Sequence, residues 1–183
     1  LYYKIIKDKI YYIEPEITKP FIKISKYKTT KSIDRIIFPY SIIEGKAIIY
    51  DENTIKQNFP LCYKYFTKNK TIIEKKDKGI LLKPWYAYGR TQGLNMFGEK
   101  IIFSTFSNIP KFMDCPSNEA LLSNGYCLTN FTYDKHVLLK ILNSDVMKYY
   151  IENTSYSIAG NFKCFQKKYI KNFSIPELSK YDI

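Results

Sequence analysis

Short apolar runs separated by turn signals fill the first fifty residues of the chain. These runs are residues 2–6, 10–13, 21–25, 36–40 and 46–50, and they are rich in isoleucine and tyrosine. Short runs of β-branched and aromatic residues bounded by polar positions are typical of strands. Glu44-Gly45 lies between the last two runs, and this arrangement predicts a β-hairpin.

The segment 53–77 carries apolar residues at helical spacing. Asp51 precedes this segment and predicts the start of a helix. Pro60 lacks a backbone donor and restricts the residue before it, so we expect it to split the segment into a short helix and a longer one. Cations followed by a glycine at residues 75–79 predict where the helical segment ends.

A second helical region follows Asp134, which we expect to be its N-cap. We predict that its apolar residues share one face: Leu138, Ile141, Leu142, Val146, Tyr149 and Tyr150. The polar residues 143–145 interrupt this face and predict the start of a second short helix.

Between the helical regions the pattern returns to strands. Residues 100–105 predict a strand, and Asn124-Gly125 between Leu121-Leu122 and residues 126–131 predicts a hairpin. The pattern as a whole predicts an α+β fold that is largely β, with a central helix and a C-terminal helical pair.

Composition narrows the choice of partner. Of the 183 residues, 45% are hydrophobic and 25% are charged, which is typical of a globular chain. The formal net charge of +12 favours a polyanionic partner. Only Arg35 and Arg90 among the 29 basic residues are arginines. Heavy use of Lys, Ile, Asn and Tyr is also what an A+T-rich genome produces, so codon bias stays open as the source of the charge.

The cysteines and the single histidine give no metal or redox motif. No two of Cys62, Cys115, Cys127 and Cys164 are close enough for C-x-x-C, so we expect free thiols in a reducing cytoplasm. We expect His136 to be structural or solvent-facing rather than a catalytic base. No apolar run approaches the ~20 residues needed to cross a membrane.

Standard catalytic motifs are absent from the sequence. It has no phosphate-binding loop and no G-x-S-x-G elbow, and the glycines at 89, 93 and 98 do not fit G-x-G-x-x-G. A small nuclease built on Asp51, Glu74 and Lys76 is one alternative. These residues fall on a predicted helix, however, and an E-x-K match arises easily by chance in a lysine-rich chain.

The rarest residue types of the chain are concentrated in residues 83–101. Arginine matches guanine O6 and N7, and glutamine or asparagine matches adenine N6 and N7, so Arg90, Gln92 and Asn95 are candidate base readers. Lys83 and Lys100 are candidate phosphate contacts. Tyr86 and Tyr88 are candidate stacking or packing residues. For Trp85, the only tryptophan, we favour a place in the core.

A further group of candidates lies near the C-terminal end, where aromatic and basic residues are interleaved. The residues of this group are Asn161, Lys163, Lys167 and Lys168. Lysine binds phosphate as a point charge and reads no sequence. We therefore expect the lysines of this group to contact the DNA backbone.

The order of several motifs resembles one known family. W-Y-A-Y-G-R-T-Q at residues 85–92, followed by K-I at 100–101, resembles the W-Y-x-x-G-R-x-Q…K-I pattern of the TaqI-like C-terminal specificity domain. That domain is the target-recognition part of many adenine-N6 DNA methyltransferases and of single-chain type II restriction–modification enzymes. Supporting pieces in the expected order are F-P-Y at 38–40, N-F-P at 58–60, L-K-I-L-N-S at 139–144, G-N-F at 160–162 and F-S-I-P at 173–176.

The resemblance covers roughly residues 36–178 and implies a DNA target-recognition domain with no catalytic activity of its own. It implies double-stranded DNA as partner and an upstream methyltransferase domain of the same chain that binds S-adenosylmethionine. This segment itself is expected to hold no cofactor, to contact no membrane and to be cytoplasmic. Because target-reading loops vary with the target, a second interpretation of residues 89–92 is that they are scaffold residues that shape the loop.

The chain begins at Leu1 rather than at methionine, so we expect a fragment of a longer polypeptide. Residues 1–35 would be N-terminal strands and a linker from the upstream catalytic domain. Residues 36–178 would be the recognition domain, and residues 179–183 would begin a truncated segment. An alternative function is a protein-interaction or assembly domain, positioned by the helix around residues 138–150 and basic only through codon bias.

Overall fold

Short strands in small sheets and short helices make up the chain in the computed structural model, which describes residues 1–6, 8–27, 33–74 and 84–175. The predicted α+β fold, largely β with a central helical region and a C-terminal helical pair, is confirmed. The chain divides into two units. The first unit comprises Leu1–Phe21, Asp34–Met96 and Glu119–Leu121, and the second comprises Ile22–Ile33, Phe97–Asn118 and Leu122–Ile183.

The first unit begins with an antiparallel strand pair. β1 (Tyr2–Ile6) pairs with β2 (Lys9–Ile13), so that Tyr3 lies opposite Tyr12. Asp8 turns the chain with a positive φ of 62°, a conformation that aspartate tolerates better than most residues. This hairpin agrees with the strands predicted at 2–6 and 10–13.

A second strand pair and a hairpin follow. β3 (Thr18–Lys23) pairs with β4 (Asp34–Ile37), and β5 (Tyr40–Ile43) pairs with β6 (Lys46–Ile49) across the predicted Glu44-Gly45 turn. The predicted strand 36–40 is therefore two strands. The break falls at residues 38–39, because Pro39 has no N–H to donate to a ladder.

The central helical region consists of three short helices. α1 (Glu52–Asn58), α2 (Pro60–Lys68) and α3 (Lys70–Glu74) follow one another. Asp51 caps α1 by accepting from the Thr54 N–H at 2.8 Å, and the break at Pro60 is where the sequence predicts it. The break at Asn69 is unpredicted, and there the side-chain amide donates to the Tyr65 carbonyl at 2.8 Å. The predicted helix end at 75–79 lies outside the described residues.

A carboxylate from outside the helices holds the start of α2. The two oxygens of Glu14 accept hydrogen bonds from the backbone N–H groups of Leu61 (2.7 Å) and Cys62 (2.9 Å). The first N–H groups of a helix have no partner within the helix, so Glu14 satisfies two of them and joins α2 to the end of β2. The buried core around them comprises Ile13, Ile17, Ile55, Cys62, Phe66, Ile73 and Tyr86.

The described part of the second unit contains two small sheets. Its strands are β7 (Ile101–Phe103), β8 (Phe106–Ser107), β9 (Phe112–Asp114), β11 (Tyr126–Leu128), β12 (Ser157–Ile158) and β13 (Phe162–Cys164), while β10 (Leu121–Ser123) begins in the first unit. β7 lies between β9 and β11, and β13 lies between β8 and β12. Each pairing is antiparallel.

The prediction of a hairpin at Asn124-Gly125 is wrong. β11 pairs with β7, whereas β10 belongs to a different sheet. Asn124 has a positive φ of 55°, but Gly125 does not, so the turn lacks the two left-handed residues that a type I′ hairpin requires. Gly125 is needed for space instead, because a Cβ there would lie 2.5 Å from the Phe103 carbonyl oxygen.

The C-terminal helical pair begins at the predicted caps. α4 (Lys135–Leu142) starts after Asp134, α5 (Asp145–Thr154) starts after Ser144, and a short α6 (Lys167–Ile170) follows. The predicted single apolar face is only partly correct, since Val146 is 67% exposed and Tyr149 is 70% exposed. The interruption at 143–145 restarts the helical phase, and α5 instead buries Met147 and Ile151.

Asn143, between α4 and α5, binds the edge of a strand. Its Oδ1 accepts from the Phe112 N–H at 2.8 Å, and its Nδ2 donates to the carbonyls of Phe112 and Leu139, both at 2.9 Å. The amide thus completes the pairing of Phe112 as a neighbouring strand would. This contact gives the Asn-Ser motif a structural role in fastening the helical pair to β9.

Replacing Asn143 with alanine should lower the free energy of unfolding by about 1–3 kcal/mol, because a buried strand edge loses both its donor and its acceptor. Urea unfolding of the whole chain measures the change. Asn153→Ala is the matched control, since the Asn153 amide donates to the Tyr149 carbonyl within the same helix. Equal urea midpoints for the two variants would contradict the role given to Asn143.

Candidate nucleic-acid interface

Residues 85–88, the aromatic stretch just before the loop that carries Arg90 and Gln92, anchor this loop to the core of the first unit. The Tyr86 ring is 2% exposed and stacks on Phe66 with centroids 5.5 Å apart. Its hydroxyl donates to the Tyr50 carbonyl at 2.7 Å, and burial raises the pKa of Tyr86 to about 12. Trp85 is partly buried against the same cluster, so its predicted place in the core is confirmed.

Tyr88 fastens the same segment a second time. Its hydroxyl donates to the Ile37 carbonyl, and its N–H donates to the Tyr40 hydroxyl at 2.7 Å. Burial raises the pKa of the Tyr88 phenol well above its usual range. Of the two roles left open for Tyr86 and Tyr88, packing is the one the structure supports, because both hydroxyls already bind backbone carbonyls of the protein.

The loop that follows presents polar side chains to solvent. Arg90, Gln92 and Asn95 are exposed, whereas Leu94, between Gln92 and Asn95, is buried. Within the described part of the chain, neither Arg90 nor Gln92 makes a side-chain hydrogen bond or ion pair. The Asn95 Nδ2 donates to the Gly45 carbonyl at 2.6 Å. The structure thus leaves Arg90 and Gln92 available to a partner, while Asn95 already binds the turn between β5 and β6.

Lys100 is not available to a phosphate. The residue is fully buried, and its ammonium donates to the carbonyls of Asn118 (2.6 Å) and Gly98 (3.1 Å). Burial lowers the pKa of Lys100, while the two carbonyls stabilise the charged form. The predicted phosphate contact is therefore corrected to a structural role at the start of β7. Lys83, the other predicted phosphate contact of this segment, lies outside the described residues.

The C-terminal candidates lie in the second unit around β13. Asn161 is exposed in a left-handed conformation with a φ of 59°. Lys163 is half-buried and donates to the Glu152 carbonyl at 3.3 Å. Lys167 and Lys168 are both exposed at the start of α6, and the Lys168 ammonium lies 4.7 Å from the Tyr169 ring centroid and 5.8 Å from that of Tyr156.

Exposed aromatic side chains accompany these cations, and the sequence reasoning missed them as candidates. Tyr156 is 45% exposed and Phe162 is 41% exposed. A basic surface that also carries aromatic rings is typical of proteins that contact nucleic acids. The interleaving of aromatic and basic residues in this stretch was the available signal. The candidates thus form two groups, one in each unit.

Asp51 and Glu74, two residues of the nuclease alternative, both have structural contacts in the described part of the chain. Asp51 caps α1, and Glu74 at the end of α3 pairs with Lys70 at 3.4 Å. Lys76 lies outside the described residues. Among the residues that the structure describes, no three His, Cys, Asp or Glu side chains are grouped so that they could hold a metal. All four cysteines are free thiols.

The chain matches the TaqI-like C-terminal specificity domain over residues 7–175. The match covers most of the 183 residues, so the chain belongs to the family of TaqI-like C-terminal specificity domains. This family implies recognition of DNA targets and association with a methyltransferase domain. A comparison with curated proteins gave no match. No helix in the described ranges is long and apolar enough to cross a membrane.

The first unit contains a cavity whose lining can be compared with the groups that bind S-adenosylmethionine, the methyl donor of DNA methyltransferases. The cavity has a volume of about 320 Å³ and is lined mostly by tyrosines and isoleucines, together with Lys4, Thr18 and Arg35. Among the residues that the structure describes, this lining includes no carboxylate, the group that commonly binds a nucleoside ribose. The described lining therefore offers basic and hydroxyl groups but no acidic partner for the ribose of S-adenosylmethionine.

Proposed function

We propose that this chain recognises a specific sequence in duplex DNA as the specificity domain of an adenine-N6 DNA methyltransferase or a combined restriction–modification enzyme. It performs no chemistry by itself. An adjoining methyltransferase domain binds S-adenosylmethionine and modifies adenine in the cytoplasm. The observation that carries the proposal is an exposed loop bearing Arg90 and Gln92, held in place by Tyr86 and Tyr88, in a chain of this family.

The chemistry of the loop supports base recognition. Arg90 presents a planar fork of donors that matches the guanine edge, and the Gln92 amide matches the adenine edge. Neither side chain has a partner within the described part of the protein. Tyr86, which is buried, and Tyr88, which is partly buried, hold the N-terminal side of the loop and lower its freedom before binding, which reduces the entropy lost on contact with DNA.

Electrostatics supports contact with the phosphate backbone. The net charge of +12 favours association with a polyanion. Lys167 and Lys168 at the start of α6 are exposed, and the Lys168 ammonium lies over the Tyr169 ring. These lysines would add affinity for any duplex, and the loop of the first unit would add the sequence preference.

Salt dependence tests this division of roles. The whole chain should bind duplex DNA, and its affinity should fall as salt rises. Lys167→Ala should weaken binding to all duplexes alike and reduce the slope of log K against log salt by about one. Filter binding across a salt series measures both quantities. Lys148→Ala is the control, because Lys148 is exposed on α5 of the same unit and should leave the slope unchanged.

Two results would contradict the proposal. Absence of duplex binding at every salt concentration would favour the alternative of an assembly domain whose basic charge reflects codon bias. Cleavage of plasmid DNA by this chain with Mg²⁺, lost in Glu74→Ala, would instead favour a nuclease.

A further inference from the structure

The hairpin formed by β5 and β6 ends in an exposed tip to which the proposed function assigns no role. Ile43, Glu44, Gly45 and Lys46 are all exposed at this tip. In the register of the hairpin, Ile43 lies opposite Lys46. Ile48 lies two residues further along β6 on the same face, so two isoleucines and a lysine share one surface. Ile43 is 55% exposed and Ile48 is 46% exposed.

The base of this hairpin is fastened to the core of the first unit. Tyr40, at the start of β5, is buried, and its ring centroid lies 5.3 Å from that of Tyr88. Its hydroxyl accepts from the Tyr88 N–H at 2.7 Å. Just beyond the end of β6, the Tyr50 N–H donates to the Pro39 carbonyl at 2.9 Å. The hairpin therefore leaves the core at the same point as the loop that carries Arg90.

The tip is also tied directly to that loop. The Asn95 amide donates to the Gly45 carbonyl at 2.6 Å, and both residues belong to the first unit. This hydrogen bond joins the hairpin turn to the segment of Arg90 and Gln92. The hairpin tip and the loop are therefore presented together, as two adjoining parts of one surface.

The residue at the turn is not the one that the turn itself favours. Glu44 has a positive φ of 49° and Gly45 has a φ of 72°, the pair of left-handed conformations in which Asn-Gly or Asp-Gly is preferred. Within the described part of the chain the Glu44 side chain makes no hydrogen bond or ion pair, and near phosphates its charge is unfavourable. A carboxylate that faces a base edge, in contrast, accepts a hydrogen bond from the cytosine N4 amino group.

We propose that the β5–β6 hairpin is a second base-reading element, which enters the major groove beside the Arg90 loop. Glu44 accepts from a cytosine amino group, Ile43 contacts a thymine methyl group, and Lys46 binds a phosphate. Asn95 is a positioning residue that fixes the tip relative to the loop. A two-stranded ribbon fits the major groove, which is about 12 Å wide. This inference rests on the proposed function of duplex recognition.

The test begins by selecting a preferred duplex for the whole chain from a randomised library. Affinities are then measured for a set of duplexes that each carry one substituted base pair. Glu44→Ala, which removes every acceptor of the side chain, should lose discrimination by about tenfold or more at one C·G pair and keep it elsewhere. Asn95→Ala should lose discrimination at the same pair, with an unchanged midpoint of thermal unfolding. Glu16→Gln, an exposed glutamate of the same unit, should change no preference.

The outcomes separate this inference from the proposed function. If Glu44→Ala and Asn95→Ala keep every base preference while Arg90→Ala loses one, the chain reads DNA without the hairpin and the inference is overturned. If the chain selects no duplex at all, both the inference and the proposed function are overturned. Loss of discrimination at one pair in both hairpin variants, with Glu16→Gln unchanged, supports the inference.

Discussion

Replacing Glu14 with glutamine should lower the free energy of unfolding by about 2 kcal/mol. The carboxylate accepts from the backbone N–H groups of Leu61 and Cys62 at 2.7 and 2.9 Å. Hydrogen bonds to a charged acceptor are stronger than neutral ones, and negative charge is favourable at a helix start. The glutamine amide can accept only one of these bonds, and its NH₂ group opposes the other donor.

Urea unfolding followed by the fluorescence of Trp85 measures this effect, since the only tryptophan packs against the same cluster. Glu16→Gln is the matched control, because Glu16 is exposed two residues away and should shift the midpoint little. A Glu14→Gln midpoint equal to that of the control would show that the carboxylate does not hold α2 in solution.

Replacing Arg90 with alanine should cost about 1–3 kcal/mol of binding to the preferred duplex and relax the preference at one base pair. Arg90 is exposed on a loop fixed by Tyr86 and Tyr88. Removing its side chain should leave the fold intact, because in the described residues it binds nothing within the protein. The measurement compares affinities for the preferred duplex and for single-pair variants of it.

Arg90→Lys separates base reading from simple charge. Lysine keeps the positive charge but lacks the planar fork that makes two parallel hydrogen bonds to guanine. We expect Arg90→Lys to lose the base preference as Arg90→Ala does, while it keeps affinity for unrelated duplexes. Wild-type preference in Arg90→Lys would make Arg90 a phosphate contact. Wild-type affinity and preference in Arg90→Ala would remove it from the interface.

Local chemistry made the helix starts and one turn predictable. Asp51, Asp134 and Ser144 each cap a helix through the next few residues of the chain, and Pro60 ends one helix and starts the next. Gly45 makes the turn between β5 and β6 predictable in the same way, because glycine adopts the positive φ that this turn requires. Each of these features depends on residues within a few positions, so the sequence pattern carries it.

Contacts between distant residues could not be predicted. Glu14 binds N–H groups 47 and 48 positions away, and no local pattern marks such a partner. The burial of Lys100 depends on the Asn118 carbonyl, 18 positions further along the chain. A lysine at the start of a strand otherwise indicates a solvated end. The hairpin prediction at Asn124-Gly125 also failed because of a distant residue. The close approach of the Phe103 carbonyl, rather than a hairpin turn, requires the glycine.

The sequence predicted which residue types form the candidate site, but it did not predict which of them face solvent and which pack inward. Arg90 and Gln92 are exposed as a base-reading role requires, but the sequence did not distinguish them from Tyr86 and Tyr88, which pack inward. The hairpin tip was missed as a candidate because its turn motif already had a structural explanation. Only the contact of Asn95 with Gly45 connects the tip to the loop.

That contact sets a rule for transplanting specificity between related domains. Residues 40–49 and 86–95 leave the core at a shared tyrosine pair and meet again at their far ends. If either segment is grafted alone, it lies beside a segment from another domain, and the Tyr40–Tyr88 and Gly45–Asn95 contacts need not both form. The two segments should therefore be exchanged together, and an engineered change of target would need to carry both.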